Sequence, residues 1–244
     1  MGKAINVIKA SGEIEPFSER KPIASLLRAG ASLGLAQKIV SQLKPHLYQN
    51  ISTFEIYNLI MKALKKEQKD LAAKYNLKRA LMELGPTGYP FEKYIAEVLE
   101  AQNHQVEINR IVQGRCVVHE IDIIAKDHKT YMIECKFHNQ LGGRTDIKVA
   151  LYTYARFLDI KVKGFDQAWL ITNTKVTQEV KTYALCVGMR ITSWDYPPKK
   201  SLREMIDKSG LHPITASTSL SSKQKQEFIA KGIVFYHDYS PKSL

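Results

Sequence analysis

Three residues in the stretch HEIDIIAKDHKTYMIECKFH, residues 119–138, have types suited to hydrolysing a phosphate ester. They are Asp122, Glu134 and Lys136. Two carboxylates held close together repel each other, a cost usually tolerated where a hard divalent cation such as Mg²⁺ lies between them. A lysine on the same face could orient or deprotonate a water molecule and stabilise negative charge developing on a phosphate. The residue types therefore predict a metal site with Asp122 and Glu134 as ligands.

The spacing of these residues constrains the local fold. Alternating apolar and polar residues predict two short antiparallel strands joined by a turn. Asp122 opposes Glu134 only if the turn is centred on His128, which gives a loop of odd length. A two-residue turn would place the carboxylates on opposite faces unless a bulge intervened. Regular alternation also predicts that Glu120, Asp122 and Ile124 share one face.

A second interpretation of the alternation is a half-buried hairpin whose polar residues face solvent. The apolar neighbours on both sides of the charges in YMIECKFH favour a central strand covered on both faces. Burying Glu134 and Lys136 without partners would cost on the order of several kcal/mol each. His119 falls on the face opposite Asp122, and we interpret it as a packing residue or one that contacts a ligand residue, rather than as a metal ligand itself.

The composition describes a globular chain. It has 244 residues and 44% hydrophobic content, enough for a sizeable core. The sequence contains no run of about 18 apolar residues, and its first residues lack the apolar segment of a signal peptide. We therefore expect a cytoplasmic protein that does not enter a membrane. Cys116, Cys135 and Cys186 are far apart and odd in number, which indicates neither a disulfide framework nor a zinc site.

The net charge of +12 suggests a polyanionic partner such as DNA. Residues 1–87 hold fourteen basic and seven acidic residues, and residues 198–244 hold eight and four. The intervening residues 88–197 are almost neutral, with fourteen and thirteen. The excess in the two flanks is compatible with phosphate-binding surfaces and equally with solubilising charge on exposed helices.

Two breaks divide the chain. The segment GPTGYP, Gly85–Pro90, separates a helical region from a helix, a strand meander and an αβαβ half. YPPKKS, Tyr196–Ser201, precedes a basic tail that is either a structural cap or a small DNA-contacting or dimerising module. We predict domains at 1–87, 88–197 and 198–244. The sequence also predicts an α/β multidomain protein whose helix after the first break directs four residues inward: Phe91, Ile95, Val98 and Leu99.

The pair HEIDIIA and MIECKFH resembles the D…ExK core of the PD-(D/E)xK nuclease superfamily, most closely its Mrr-like restriction-endonuclease branch. The resemblance runs from about Gly88 to Trp194. It implies an α/β restriction-endonuclease-like fold with a central mixed sheet flanked by helices. It also implies Mg²⁺ or Mn²⁺ as cofactor, DNA as substrate, and a catalytic set that an acidic residue of the first helix completes: Glu92, Asp122, Glu134 and Lys136.

Residues 3–85 resemble an ATP-cone, a small, mainly helical nucleotide-binding module that regulates ribonucleotide reductases. INVIKASGEIEPFSERKPIASLL carries the opening motif, with Ala10 where the family often has a basic residue. The resemblance implies that ATP or dATP is a regulatory ligand and that the protein is a homo-oligomer. Lysines near helix starts suit a triphosphate. The residues implied at the nucleotide are Lys9 and Lys21 for phosphate, Thr53 beside it and Arg79 from the last helix.

Taken together, the residues and resemblances predict a metal-dependent deoxyribonuclease with an N-terminal ATP- or dATP-binding regulatory domain. The alternative is a non-catalytic, ATP-responsive DNA-binding protein that retains the nuclease fold. The intact set of Asp122, Glu134 and Lys136 argues against that alternative. A small-molecule nucleotide enzyme is disfavoured because the sequence contains no P-loop.

Overall fold

The structure is a computed structural model that describes residues 5–140 and 142–235. It divides into two compact units. The N-terminal unit contains Met1–Arg79 and Ala216–Leu220, and the C-terminal unit contains Ala80–Thr215 and Ser221–Leu244. Among the helices in these described residues, none is both long and apolar enough to cross a lipid bilayer. The division into 1–87, 88–197 and 198–244 stays a prediction.

The N-terminal unit is mainly helical, with a small three-stranded sheet. Strand β1 lies in the middle of that sheet, antiparallel to β2 and parallel to β3. The elements are β1 Asn6–Ile8, β2 Ile14–Pro16, α1 Arg20–Arg28, α2 Leu33–Leu43, β3 Ile51–Ser52, α3 Thr53–Glu67 and α4 Lys69–Met82.

Helices α2 and α3 of this unit each begin at a serine side-chain cap and bury an apolar face. The Ser32 side chain accepts a hydrogen bond from the backbone N–H of Leu35 at the start of α2. Ser52 does the same for Glu55 at the start of α3. Each cap satisfies an N–H group that would otherwise lack a partner. The apolar faces pack into one core whose fully or almost fully buried members include Leu26, Ala36, Ile39, Ile60 and Leu64.

The C-terminal unit is an α/β structure built on a five-stranded mixed sheet. The strand order is β10-β8-β6-β5-β4; β4, β5 and β6 form an antiparallel meander, while β8 and β10 run parallel to β6. The elements are α5 Tyr89–Glu100, β4 Gln105–Gln113, β5 Val118–Lys126, β6 Thr130–Lys136, β7 Arg144–Thr145, α6 Ile147–Ile160, β8 Gln167–Thr172, β9 Lys175–Val176, α7 Gln178–Val187, β10 Arg190–Thr192, α8 Leu202–Ser209 and α9 Ser222–Ala230.

The apolar pattern of this unit places helices against the sheet. Helix α5 buries the four residues predicted to face inward, each with no exposed surface: Phe91, Ile95, Val98 and Leu99. Helices α6 and α7 pack with β6 and β8 in a core that includes Met132, Phe157, Leu170 and Val180. The predicted mixed sheet flanked by helices is confirmed, as is the central position of the strand that carries Glu134.

The turn between β5 and β6 has the predicted odd length. Three residues, 127–129, join the strands, and Lys126 opposes Thr130 across the turn. The register continues to Ile123 opposite Ile133, so Asp122 and Glu134 occupy the next opposed position. The prediction of a loop centred on His128 is confirmed.

Regular alternation along all of β5 is, however, a wrong prediction. His119 is buried and reaches Asp159 of α6, and Ile121 packs in the core formed with α6. Ile124 packs against that same core, although residues three apart in a regular strand point to opposite faces. The alternation of side chains between the two faces of the sheet is therefore interrupted at Asp122. As a result, Ile124 and Glu120 do not point to the same face. The interpretation of His119 as a packing or supporting residue rather than a metal ligand stays a prediction.

Asp159, near the end of α6, forms hydrogen bonds that hold the turn between β4 and β5. Its carboxylate accepts the backbone N–H of Cys116 at 2.8 Å and of Val117 at 3.1 Å, and His119 Nε2 lies 2.8 Å from it. These hydrogen bonds, of which the one to His119 contributes most, hold the pKa of Asp159 well below its usual range. A Cβ atom on Gly114 would overlap Asp159 Oδ2 and approach the backbone oxygen of Val117 to 2.7 Å.

Most of the described part of the tail belongs to the C-terminal unit, whereas Ala216–Leu220 belong to the N-terminal unit. Tyr94 donates its hydroxyl hydrogen to the backbone oxygen of Leu211 at 2.5 Å, and Thr215 donates to that of Ala80 at 2.7 Å. Helix α9 is capped by Ser221. It ends at Ala230, and the chain then forms an isolated bridge to Pro213, while residues 236–244 lie outside the described residues.

We predict that Gly114→Ala lowers the free energy of unfolding by about 1–3 kcal/mol, because the methyl group must displace the Asp159 carboxylate or the turn. Chemical denaturation measures the loss. Gly34→Ala in α2 is the contrast: its Cβ would meet nothing within 4 Å, so we expect a gain of up to about 1 kcal/mol. Equal free energies of unfolding for Gly114→Ala and the wild type would contradict the close packing of Asp159 against this turn.

Candidate functional site

A cavity of about 330 Å³ opens beside the carboxyl end of β6. The four residues predicted as catalytic all line it: Glu92, Asp122, Glu134 and Lys136. The remaining lining residues are Pro86, Gly88, Cys135, Phe137 and Asn139. The structure thus brings together side chains from a helix and two strands that are up to 44 positions apart in the chain.

Each predicted residue is placed by its secondary structure. Glu134 and Lys136 are two positions apart on β6, the middle strand of the sheet. Asp122 on β5 accepts the backbone N–H of Cys135 on its Oδ2 atom at 2.7 Å, which fixes its carboxylate against the neighbouring strand. Glu92 lies in the first turn of α5, where the positive end of the helix dipole favours an acidic side chain.

The cavity concentrates negative charge. Burial, followed by the charges of Asp122, Glu120 and Glu134, raises the pKa of Glu92 to about 7. Burial and the Asp122 charge raise the pKa of Glu134 to about 7, although Arg156 and Lys136 oppose the shift. Burial also raises the pKa of Asp122, against the hydrogen bond from Cys135. The cations around the cavity therefore do not fully compensate its carboxylates.

Arg156 of α6 is a site residue that the sequence analysis missed. Its guanidinium is bonded to the Glu134 carboxylate through Nη1 and to the backbone oxygen of Glu120 through Nη2. Arg156 is only 9% exposed. It sits in the buried stripe of α6 with Ala150, Thr153, Phe157 and Ile160. A charged residue within such a stripe requires a buried partner, and this pattern could have revealed it.

The acidic residues suit a hard divalent ion. Mg²⁺ in proteins usually takes one or two carboxylates and completes its shell with water and substrate phosphate. Asp122 and Glu134 offer this oxygen donor set, and since the Asp122 charge contributes to the raised pKa of Glu134, a cation would relieve this repulsion. Within the described residues, no three His, Cys, Asp or Glu side chains are placed to hold one metal ion together. The arrangement therefore fits two protein carboxylates with water.

A second cavity, of about 170 Å³, lies in the N-terminal unit between β2, α1, α3 and α4. Its lining is largely apolar and aromatic, with Tyr57 and Tyr75 stacked at a centroid distance of 5.7 Å. Lys21 and Thr53, both predicted to be at a nucleotide, line this cavity. The full lining is Val7, Glu15, Pro16, Phe17, Ser18, Lys21, Pro22, Ser25, Thr53, Ile56, Tyr57, Ile60 and Tyr75.

The two predicted phosphate-binding lysines meet at one carboxylate. Lys9 forms ion pairs with Glu15 at 2.8 Å and with Glu13 at 3.1 Å, and Lys21 also pairs with Glu15. The hydrogen bonds from Lys21 and then Lys9 lower the pKa of Glu15. Lys21 lies in the first turn of α1, as predicted. Lys9 does not: it directly follows β1, so its predicted position at a helix start is wrong.

Arg79, the fourth residue predicted at the nucleotide, lies at the edge of the aromatic series. Its guanidinium carbon is 4.5 Å from the ring centre of Phe54 and 5.5 Å from that of Tyr57. Phe54 and Tyr57 are themselves stacked. Arg79 is thus connected to the cavity through Tyr57, whereas Lys21 and Thr53 form part of the wall.

The fold and the main cavity define a class of protein. A mixed sheet whose central strand carries Glu134 and Lys136, with an acidic residue on the adjoining strand and another on the preceding helix, is a restriction-endonuclease-like α/β domain. Comparison with known families agrees. Residues 85–197 match the family described as restriction endonuclease, and residues 5–83 match the ATP cone domain. The chain therefore carries an ATP-cone domain followed by a domain of the restriction-endonuclease family.

One similar protein and one similar crystal structure are described without an activity. A protein of Archaeoglobus fulgidus described as uncharacterized is 45% identical over 145 residues, which is 59% of this chain and 82% of the relative. A crystal structure described as a protein of unknown function shares 42% identity, with a TM-score of 0.56 over 62% of this chain and 82% of that chain. The structural similarity supports the fold.

The raised carboxyl pKa values predict the pH dependence of the metal-free protein. Since Glu92 and Glu134 titrate near 7 when folded and near 4.5 otherwise, the folded state binds more protons between these values. The free energy of unfolding should therefore fall as pH rises from about 4.5 to about 7. Glu92→Gln removes one of these charges. We expect its melting temperature, relative to wild type, to rise across this window when metal is chelated.

Thermal unfolding at several pH values tests this expectation. Glu100→Gln, which removes an exposed carboxylate at the end of the same helix and outside the cavity, is the matched control for the loss of one acidic group. If the difference in melting temperature between Glu92→Gln and the wild type stays constant from pH 4.5 to 7, burial and the neighbouring charges do not raise the pKa of Glu92.

Proposed function

We propose that this protein is a divalent-metal-dependent deoxyribonuclease with an ATP- or dATP-binding regulatory domain. The observation that carries the nuclease proposal is the convergence of Glu92, Asp122, Glu134 and Lys136 on one cavity of a restriction-endonuclease domain. The ATP-cone domain and the charge of +12 support nucleotide and DNA as its ligands.

In this proposal each side chain has one task. Asp122 and Glu134 hold a divalent ion, preferably Mg²⁺ or Mn²⁺. The ion would lower the pKa of a bound water and neutralise charge on the scissile phosphate. Lys136 stabilises the negative charge that develops on the phosphate and orients the attacking water. Glu92 acts from the helix as an outer ligand or positioning group. Arg156 holds Glu134 in place.

Burial makes these interactions effective. Glu134 has only 16% of its side chain exposed, so its interactions with Arg156 and with a cation are weakly screened by solvent. Lys136 is exposed at the end of β6, where a DNA backbone can reach it. The cavity therefore combines a water-poor wall for the metal ligands with an accessible cation for the substrate.

We predict that Glu134→Ala and Lys136→Ala reduce cleavage of plasmid or branched DNA by about 100-fold or more, because each removes a group that acts mainly in the transition state. DNA binding without metal should change by less than about threefold. Cleavage assays with Mg²⁺ or Mn²⁺ and gel-shift titrations measure both. Lys126→Ala, which removes an exposed lysine at the other end of β5, is the charge-matched control and should cleave normally. Full activity in both site variants would place hydrolysis elsewhere.

The regulatory part of the proposal rests on the N-terminal cavity. Its stacked aromatic residues suit a purine base. Lys21 and Thr53 in its wall, and Lys9 through the shared partner Glu15, suit phosphate groups. A triphosphate would replace Glu15 as the partner of the two lysines. For the nucleotide to tune cleavage, it must bind two arrangements of the protein with different affinity, typically by about 1–3 kcal/mol. We propose that changed contacts between copies of the chain carry this coupling.

We predict that the full-length protein binds ATP or dATP without hydrolysing it, and that Lys9→Ala or Lys21→Ala weakens binding by about 10- to 100-fold. This range corresponds to the loss of one charge-assisted hydrogen bond. Isothermal titration calorimetry measures the affinity. Lys38→Ala, which removes an exposed lysine paired with Glu67, is the control and should bind as wild type does. A wild-type protein that takes up neither nucleotide at millimolar concentration would contradict the regulatory proposal.

A further inference from the structure

Asn109 has an unusual backbone conformation for a residue inside a strand. It lies in the middle of β4, yet its φ angle is +51°. This left-handed conformation is uncommon for a residue other than glycine, and asparagine is one of the few that tolerate it. Its position makes it relevant to the site, because the register of β4 and β5 places Asn109 opposite Asp122.

The pairing of β4 with β5 is interrupted at Asn109 and Asp122, but the register is the same on both sides of the interruption. Ile108 pairs with Ile123, and Arg110 pairs with Ile121, so the offset is the same on both sides of the interruption. The paired positions skip Asn109 and Asp122. At the same level the facing pattern of β5 changes, since Ile121 and Ile124 pack in one core. The left-handed residue and the change of facing therefore belong to one local feature.

The pairing of β5 with β6, on the other side of Asp122, is also irregular. The regular pairing of β5 with β6 extends only to Ile123 and Ile133. At the next position the Asp122 carboxylate, rather than the β5 backbone, accepts the N–H of Cys135 at 2.7 Å. The side chain that the proposed function assigns to the metal thus faces β6 and the cavity because the sheet is irregular here.

We propose that Asn109 is a positioning residue: its left-handed conformation breaks the β4–β5 pattern and turns the Asp122 carboxylate toward the cavity and the Cys135 N–H. The part of this proposal that concerns metal rests on the proposed nuclease function. The part that concerns the orientation of Asp122 does not, because it depends only on the sheet.

Two substitutions separate the conformation from the side chain. Glycine adopts the left-handed region freely, so Asn109→Gly keeps the backbone while deleting the amide. Valine is β-branched and strongly disfavours that region, so Asn109→Val drives β4 toward regular pairing. Asn103 offers a matched control in the same unit. It also has a positive φ, +66°, but it lies in the turn between α5 and β4. Asn103→Val therefore imposes the same backbone penalty away from Asp122.

The experiment uses the full-length protein and two readouts. Amide hydrogen exchange at Cys135, followed by NMR, reports the bond to Asp122. The Mn²⁺ concentration that gives half of the maximal thermal stabilisation reports metal binding without requiring cleavage. We expect Asn109→Val to speed exchange at Cys135 and to raise the required Mn²⁺ concentration, each by about tenfold. Asn109→Gly should match wild type. Asn103→Val should lower the melting temperature while leaving both readouts unchanged. If Asn109→Val does not fold, Asn109→Ala replaces it with the same expectations.

The proposal is overturned if exchange at Cys135 is unchanged in the valine or alanine variant. It is also overturned if Asn109→Gly loses as much protection as those variants, or if Asn103→Val alters Cys135 equally. A wild-type protein that neither binds Mn²⁺ nor cleaves DNA, but in which Asn109→Val still exposes the Cys135 amide, would refute the proposed function and leave the positioning role supported.

Discussion

The crowding of carboxylates around one partly buried cavity is the constraint on which the C-terminal unit depends. Glu92, Asp122 and Glu134 all have raised pKa values, and burial is the largest cause for each. Arg156 compensates part of this charge from inside the structure. Such an arrangement is costly for a fold that uses it only for stability. It is understandable in a site that binds a cation, and perturbed pKa values are typical of functional sites.

Two devices in the scaffold maintain this crowding. Helix α6 is anchored at Asp159 to the turn before β5, and Arg156 lies one turn earlier, so the anchor also fixes the guanidinium against Glu134. In the neighbouring strand β4, the interrupted pairing at Asn109 gives the Asp122 side chain an orientation that regular alternation along β5 would not give it. Rigid support of this kind keeps ligands close despite their repulsion. Packing and hydrogen bonds elsewhere in the unit thus hold the carboxylates closer together than their mutual repulsion would otherwise allow.

Much of this could be predicted from the sequence because the signals are local. The strand pattern and the odd turn around His128 fixed the opposition of Asp122 and Glu134, and apolar spacing identified the buried face of α5. Arg156 was not predicted, because it meets Glu134 only through tertiary packing, although the sequence places a charge in the buried stripe of α6. The change of facing at Asp122 depends on the backbone of Asn109 in the adjacent strand, and strand periodicity carries no information about that. Lys9 was misplaced because the small sheet of the N-terminal unit was not anticipated.

The central claim is that Asp122 and Glu134 hold one divalent ion. The most direct test is a crystal structure of the full-length protein soaked in Mn²⁺, with anomalous scattering measured at the manganese absorption edge. The account predicts one strong anomalous peak in the cavity, within about 2.0–2.4 Å of a carboxylate oxygen of both residues, with water completing the shell. A peak at another position, or an unchanged cavity at saturating Mn²⁺ with Glu134 bound only to Arg156, would contradict it.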